Sequence, residues 1–408
     1  MSITLPGPTL GVVGGGQLGR MLAEAAAPLG VDLIVLDPTP SCPASSVARD
    51  QIVAGFDDPD GVDELARRAD AITFEIELAD PDLLAEASTE HDVPVHPDPD
   101  TLRTIQDKLV QNESLADAGI PIPEFTAIAT AEGLERVTEE FGGAMVKARE
   151  GGYDGRGNAP AESPEAATEV LDSIEGPAMA ERLVDFTREI AVMGVRGADG
   201  ATRTYPVTET VHRAEILRES VSPARTTDSV VARAEAVASD VLETLSGRGV
   251  YGIELFETRD GAILVNEIAP RPHNSGHWTI EGARTSQFEN HVRAVLGWPL
   301  GPTDLVSPAV TANILGDVAE SRPLVSRPDS PHSSGDTDGP NPTALRNVAT
   351  VLDAPDADLH WYGKADVRPL RKMGHLTVTD LGTTADNADR DALLSRAQSL
   401  RDALTFTD

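Results

Sequence analysis

Lys147 stands beside four glycines in the segment VKAREGGYDGRGN, residues 146–158. Gly151, Gly152, Gly155 and Gly157 allow a loop whose N–H groups fold over a polyphosphate, with Lys147 as a point charge at its edge. A plain glycine-rich hairpin has no need of the lysine, and the chain spends only four: Lys108, Lys147, Lys364 and Lys372. Further on, IELF and LVNEIAPRPHNSGHW place Glu254 and Glu267 on the two arms of an expected hairpin around Arg259, Asp260 and Gly261, with Asn266 beside Glu267. Two carboxylates and an amide on facing strands form a ligand set for Mg²⁺, or Mn²⁺, bridging nucleotide phosphates. Taken alone, Glu254 reads as a solvent-facing acid in an acid-rich chain. Glu267 is set apart because it opens an Asn-Pro-Arg-His segment with no helix or strand pattern, and such loops are usually sites.

A second glycine motif, GGGQLG at Gly14–Gly19, has the G-x-G-x-x-G spacing. It follows an apolar strand, opens a helix, and has Asp37 at the end of the next strand. Glycines there let a phosphate approach the backbone at a helix N-terminus. On this motif alone an NAD-dependent oxidoreductase is a reading, and a tight strand-to-helix turn is the plainer one.

These residues need elements to hold them. TLGVVG, VDLIVLD and DAITFEIE read as buried strands alternating with helices, and Gly30 stops the helix GQLGRMLAEAAAPLG. That alternation predicts a parallel sheet. HDVPVHPDPDTLRTIQDK reads as a strand, a proline-rich connection and a helix start. From about Ile122 the texture turns to short strands: EFTAIAT, GAMVKARE, AMAERLV and REIAVMGVRGADGATRTYPVTETVH. An amphipathic helix follows, AEAVASDVLETLSGRG, and then the carboxylate hairpin. Leu359–Gly363 and HLTVTDLG read as closing strands, and DRDALLSRAQSLRDALTF as a last helix. Residues 325–343, rich in Pro, Ser, Gly and Asp, read as a flexible surface insertion. There is no internal repeat. The fold class expected is α/β plus α+β, as a Rossmann-like domain at 1–105, a central domain at 106–298 with a lid at about 122–188, and a small β-rich domain at 299–408.

A chain of 408 residues is long enough for two or three domains, and 40% apolar content supplies their cores. The charge is unusual: 67 Asp+Glu against 33 Lys+Arg, net −34. That excess argues against binding nucleic acid or an anionic membrane. Spread along the chain, with lysine scarce, it suits a cytosol of very high salt, where self-repulsion is screened. Cys42 is the one cysteine, so no intrachain disulfide and no cysteine metal site is expected. The N-terminus lacks the pattern of a signal peptide, and no apolar stretch is long enough to span a membrane, so a cytoplasmic protein is expected.

GGYDGRG, ELF…NEIAPRPHNSGHWT, HWYGK and VRPLRKMGHL together resemble the N5-carboxyaminoimidazole ribonucleotide synthase family, ATP-grasp enzymes of purine biosynthesis. The resemblance runs from GGGQLGRML to GHLTVTD, nearly the whole chain. Residues 325–343 depart from the family pattern, and Lys108 stands where relatives often carry arginine. The resemblance implies the ATP-grasp fold, with a pre-ATP-grasp domain ahead of it, and a carboxylation that uses ATP and Mg²⁺ with neither biotin nor NAD. By position, Lys108 and Lys147 would hold ATP phosphates under the closing loop Gly151, Gly152, Tyr153, Asp154, Gly155, Arg156, Gly157. Glu181, Arg182, Leu183 and Val184 would form the hinge reading adenine, with Glu189 on the ribose and His212 nearby. Glu254, Asn266 and Glu267 would hold the metal. The aminoimidazole ribonucleotide would meet Lys364, Arg371 and Lys372 through its phosphate, with Gln17 and Leu18 close by and Glu75, with Glu77, on its ribose or base. Tyr153, Asp154, Arg271, His273 and Asn274 would surround the reacting amine and bicarbonate. Arg271 is the expected carboxyphosphate-binding group, and Asp154 or the released phosphate takes the amine proton. The resemblance also implies a homodimer and a transient hand-over of product to the downstream mutase.

Three alternatives remain at this stage: a formate-using relative acting on glycinamide ribonucleotide, the NAD-dependent oxidoreductase, and a nonenzymatic nucleotide-binding regulator. All four lysines fall where an anion should sit, which a random scatter would rarely produce.

Overall fold

The computed structural model describes residues 4, 6–151, 157–324, 342–384 and 387–407. Its first unit is a four-stranded parallel sheet in the order Asp50–Ile52, Asp32–Leu36, Thr9–Val13, Ala71–Phe74. Apolar runs such as LGVV are buried along their length because helices cover both faces. Helix Gln17–Ala26 ends in a short 3₁₀ turn, and Gly30 closes it in the left-handed conformation, as its position in the sequence predicts. Two expectations change. The third long strand stops at Phe74, so Glu75, Ile76 and Glu77 leave the sheet. The segment around Val95 contributes only one parallel bridge, to Ile72.

The second unit carries a four-stranded antiparallel sheet in the order Phe125–Ile128, Ala178–Arg182, Ala144–Ala148, Asn158–Ala161. Helices Ala131–Phe141 and Ala167–Ser173 cover one face. Ala144, Val146, Ala148, Ala178 and Ala180 join their core. Strand alternation then turns Lys147 and Glu181 to the opposite face.

That face looks toward a nine-stranded antiparallel sheet. Eight strands run in the order Ile263–Ala269, Gly249–Thr258, Phe186–Arg196, Thr208–Arg213, Ile216–Ser222, Ala309–Leu315, Lys372–Thr379, Ala357–Trp361, and Thr202–Thr204 pairs with Phe186–Arg196. Helix Asp228–Thr244 buries Val230, Ala234, Val237, Ala238, Val241 and Leu242 against the sheet's back. The strands expected for the third unit therefore extend the central sheet. Ile216–Ser222 and Ala309–Leu315 form that junction, and helix Arg390–Asp402 packs behind it. Of the expected surface insertion, residues 325–341 lie outside the described residues. Thr343 at its end is fully buried and donates to Thr407 O at 2.5 Å.

Candidate active site

The glycine turn is occupied by the protein itself. Glu75, released from its strand, accepts from the N–H of Gly16 and, at 2.7 Å, from that of Gly19. Asp37 accepts from Gly15 N–H at 2.9 Å and Thr39 N–H at 2.8 Å. A pyrophosphate or ribose would need those same groups. The spacing has a packing reason as well: a Cβ on Gly15 would lie 2.3 Å from Cys42 Sγ, and one on Gly14 2.5 Å from Glu75 Cγ. Burial pushes the Cys42 thiol up to about 11, so it packs there as an unreactive apolar group. Burial likewise raises Glu75 to about 7, against the pull of the two amides. Glu75→Ala strips two buried N–H groups of their acceptor. Urea unfolding should show a loss of about 2–4 kcal/mol, with a smaller loss for Glu75→Gln; an unchanged midpoint would mean the amides are satisfied otherwise.

Across the cleft, Lys147 Nζ lies 2.7 Å from Glu181 Oε2 and donates to Asn266 Oδ1 at 3.3 Å. Asn112 donates to the other Glu181 oxygen at 2.9 Å. Lys147 and Glu181 are both buried. Lys108 opens helix Lys108–Asp117, whose cap Asp107 accepts from Leu109 and Val110 N–H and is gripped by Arg149. Its ammonium reaches Glu267 Oε1 at 3.3 Å. The glycine loop begins at Gly151 and closes at Gly157, both left-handed, and Gly157 O accepts from Ala148 N–H at 2.7 Å. Gly152, Tyr153, Asp154, Gly155 and Arg156 lie outside the described residues.

The two carboxylates stand opposite each other: Glu254 and Glu267 pair directly in register on adjacent antiparallel strands. Glu189 and His212 join them on the same floor, His212 Nδ1 lying 2.9 Å from Glu189 Oε2. Burial pushes Glu254 up to about 7; the like charges of Glu267 and Glu189 add to this and His212 opposes it. Glu267 is held down to about 2, by Lys108 first, then by Lys147 and His273, against burial. A carboxylate kept from ionising by burial beside two others is what a divalent cation relieves, so the residues present fit the metal.

The loop after strand Ile263–Ala269 completes the site. One terminal nitrogen of Arg271 reaches both Glu77 oxygens, at 2.7 and 3.0 Å, and the other donates to Pro272 O at 3.1 Å. His273 packs over Gly252, where a Cβ would sit 2.5 Å from it, and its Nδ1 lies 2.8 Å from Ser275 Oγ and 3.7 Å from Glu254. Burial, with Arg271 and Lys372 beside it, pushes His273 down to about 3, so its ring is neutral. Lys364 donates to Gln17 Oε1 at 2.9 Å and to Lys372 O, which joins the glycine turn to the C-terminal strands. Arg371 pairs with Asp366 at 2.7 Å.

Lys108, Lys147, Glu181, Asn266 and Glu267 thus form one network, and Glu189, His212, Glu254 and His273 a second beside it. Other expected residues stand differently. The Arg182 side chain turns away, to Glu124, Phe141 O and the Phe141 ring. Leu183 and Val184 lie in the short link between strands Ala178–Arg182 and Phe186–Arg196. Leu18 is buried in the N-terminal core. Asn274 is buried in a reciprocal amide pair with Asn313, at 2.7 and 3.2 Å. Sequence reading missed Asn112, Asn313 and Gln287. Gln287 holds both the N–H and the C=O of His273. No motif flags these three: Asn112 and Gln287 lie among other polar residues, and Asn313 stands in the largely apolar strand AVTANIL.

Family models match in three blocks: the ribonucleotide synthetase preATP-grasp domain at 8–106, the ATP-grasp domain at 113–288, and the phosphoribosylaminoimidazole carboxylase C-terminal domain at 309–390. The N5-carboxyaminoimidazole ribonucleotide synthase of Pseudomonas aeruginosa is 38% identical over 97% of this chain and 99% of its own length. The phosphoribosylaminoimidazole carboxylase of Schizosaccharomyces pombe is 40% identical over 90% of this chain, which spans 64% of that longer protein. Among solved structures, the N5-carboxyaminoimidazole ribonucleotide synthetase of Thermotoga maritima superposes with a TM-score of 0.83 at 38% identity, covering 98% of this chain and 99% of that one. The N5-carboxyaminoimidazole synthase of Aspergillus clavatus, in complex with ADP and 5-aminoimidazole ribonucleotide, gives 0.83 at 32% identity over 98% of this chain and all of that one.

Proposed function

The chain belongs to the N5-carboxyaminoimidazole ribonucleotide synthase family of ATP-grasp enzymes, and on that footing we propose that it carboxylates 5-aminoimidazole ribonucleotide with bicarbonate and ATP, giving N5-carboxyaminoimidazole ribonucleotide, ADP and phosphate in purine biosynthesis. The observation that carries the proposal is the arrangement in which Lys108 reaches Glu267 and Lys147 reaches Asn266, with Glu254 directly opposite Glu267. Bound there by Glu254, Glu267 and Asn266, a magnesium ion supplies charge neutralisation on the phosphates.

Bicarbonate oxygen attacks the γ-phosphorus, the bond to ADP breaks, and carboxyphosphate forms. Lys147 and Lys108 offset the charge that moves onto the leaving oxygens. Arg271, held by Glu77 and planar, orients the bicarbonate. The glycine loop closes and excludes water, because carboxyphosphate hydrolyses readily. Its C–O bond to phosphate then breaks, releasing CO₂ inside the site. The exocyclic amine of the ribonucleotide attacks that carbon, and Asp154 or the departing phosphate takes the amine proton. Glu75 and Gln17, with Lys364, Arg371 and Lys372, hold the ribonucleotide. The glycine turn thus serves the substrate, with its amides bound to Glu75.

The test is ADP release with ribonucleotide, bicarbonate and metal omitted in turn. Each omission should stop it, and formate should not replace bicarbonate. Release that ignores the ribonucleotide would end the proposal. The same reading makes the protein a cytoplasmic homodimer that hands its labile carbamate to a mutase. The acid excess supports a high-salt enzyme. Turnover and the unfolding midpoint should both rise as KCl goes from about 0.1 M to above about 1 M, where the screening length falls from about 10 Å to about 3 Å. A midpoint that falls instead would assign the acid another role.

A further inference from the structure

Three histidines in the quoted motifs have no part in this chemistry: His277 of GHW, His360 of HWYGK and His375 of MGHL. The fold gathers them. His277 and His375 are fully buried, as is Tyr362 beside them. Their rings form a column: His360 stacks on His375 at 4.5 Å and 12°, and His375 meets His277 tilted, at 4.8 Å and 32°. Tyr362 Oη is hydrogen-bonded to His375 Nδ1 at 2.8 Å, and its ring meets His277 edge-on at 6.3 Å. His360 anchors the outer end, its Nε2 lying 2.6 Å from Glu281 Oε1. Gln287, which holds His273 by its backbone, also reaches His277 Nδ1 at 3.5 Å.

The column joins three segments that are distant in sequence. His277 lies four residues after His273 and three after Asn274. His375 lies three residues after Lys372. Tyr362 lies two residues before Lys364, whose ammonium sits 5.5 Å from the Tyr362 ring centre. The bicarbonate end and the phosphate end of the proposed ribonucleotide site are thus mounted on one stack. A core built only for packing would use Leu or Phe here, since burying imidazoles costs desolvation unless their nitrogens are placed. Two of those nitrogens, Nε2 of His277 and of His375, are buried without a hydrogen-bond partner among the described residues. The arrangement therefore carries an energetic cost that packing does not explain.

We propose that the His277–His375–His360 stack, locked by Tyr362, consists of positioning residues that fix the spacing between the loop of Arg271 and His273 and the lysines Lys364 and Lys372. This rests on the functional reading above. The spacing decides whether CO₂ released at one end meets the amine held from the other. Loosening it should uncouple the two halves of the reaction, with ATP still cleaved while less carbamate forms.

The experiment measures carboxylated product per ADP released, and KM for ribonucleotide and for ATP, in Tyr362→Phe, His375→Phe and His375→Asn. Tyr362→Phe removes only the hydroxyl, so it keeps the test intact should His375→Phe fail to fold. Asparagine places an acceptor near the Nδ1 position and serves as the conservative rescue. A slackened stack predicts a ribonucleotide KM about tenfold higher in both phenylalanine variants, equivalent to about 1.4 kcal/mol of binding. Product per ADP should fall below half the wild-type value, KM for ATP should hold, and His375→Asn should recover most of the ratio. Unchanged coupling in a folded Tyr362→Phe, or equal rises in both KM values, overturns the proposal. A wild-type enzyme whose ADP release ignores the ribonucleotide overturns the functional reading, and this inference falls with it.

Discussion

Lys147→Met is expected to lower ATP turnover by roughly 100- to 1,000-fold or more, the scale of losing a placed charge at a transferring phosphoryl group. The structure adds a second effect. Lys147 is the cation beside Glu181, which is 4% exposed. Removing it leaves a buried carboxylate with the Asn112 amide and the more distant charge of Lys108, and breaking such a pair costs about 3–5 kcal/mol. A dead Lys147→Met protein is therefore ambiguous by itself. Lys147→Met combined with Glu181→Gln removes the orphan charge, so its unfolding midpoint should return toward the wild type while turnover stays lost. ADP release and thermal unfolding on the same preparations check both halves. A double variant that regains turnover would assign Lys147 to folding alone.

Glu267→Gln is expected to abolish metal-dependent ADP formation, again by about 1,000-fold, and Glu254→Gln to separate activity from stability. Glu267 binds Lys108 and is one of the proposed metal ligands, so on this proposal its loss removes a ligand and frees a lysine. Glu254 differs in sign. Its carboxyl is raised from 4.5 to about 7 in the folded chain. Relative to the unfolded chain, the stability tied to its proton is full below pH 4.5 and is lost as pH rises through about 7. A neutral glutamine carries no such loss. Without added metal, Glu254→Gln should be more stable than wild type at pH 8 by up to about 3 kcal/mol, and the difference should vanish below pH 4.5. Glu267→Gln should run the other way: Lys108 holds the folded carboxyl down to about 2, so wild type should be the more stable above pH 4.5, and that advantage should be lost as pH falls through about 2. Chemical unfolding with a chelator present measures both, compared at pH 4.5 and pH 8 for Glu254→Gln and from pH 4.5 down to about pH 2 for Glu267→Gln. Equal behaviour of the two variants would mean that the carboxylates do not occupy the environments described.

Much of this site can be read in the sequence because its signals are local. Alternation along AMVKA turns Lys147 away from a core of alanine and valine. The hairpin around Asp260 and Gly261 brings Glu254 opposite Glu267, a pairing set by strand register. The G-x-G-x-x-G motif shows the limit of local reading. Its spacing fits a dinucleotide turn, yet the groups that fill it, Glu75 and Asp37, come from 59 and 22 residues away. The sheet that runs through Ile216–Ser222 and Ala309–Leu315 is hidden for a related reason. Strand Ile216–Ser222 puts Glu219 between Leu217 and Val221 on one face and Arg218 and Ser220 beside Ile216 on the other, so period two is blurred there, and Ala309–Leu315 pairs with it from about 90 residues away. Asn313 itself becomes meaningful only once Asn274 faces it, 39 residues away. The histidine stack escaped for the same reason: three motifs each contribute one ring, and none shows what the ring touches.

The central claim is that bicarbonate attacks ATP within this network, before any carbon reaches the amine. Turnover in ¹⁸O-labelled bicarbonate, with ribonucleotide and magnesium present, tests it most directly through the phosphate released. The account predicts one labelled oxygen in each phosphate, matched by one carboxylated ribonucleotide. Unlabelled phosphate formed alongside the same product would contradict it.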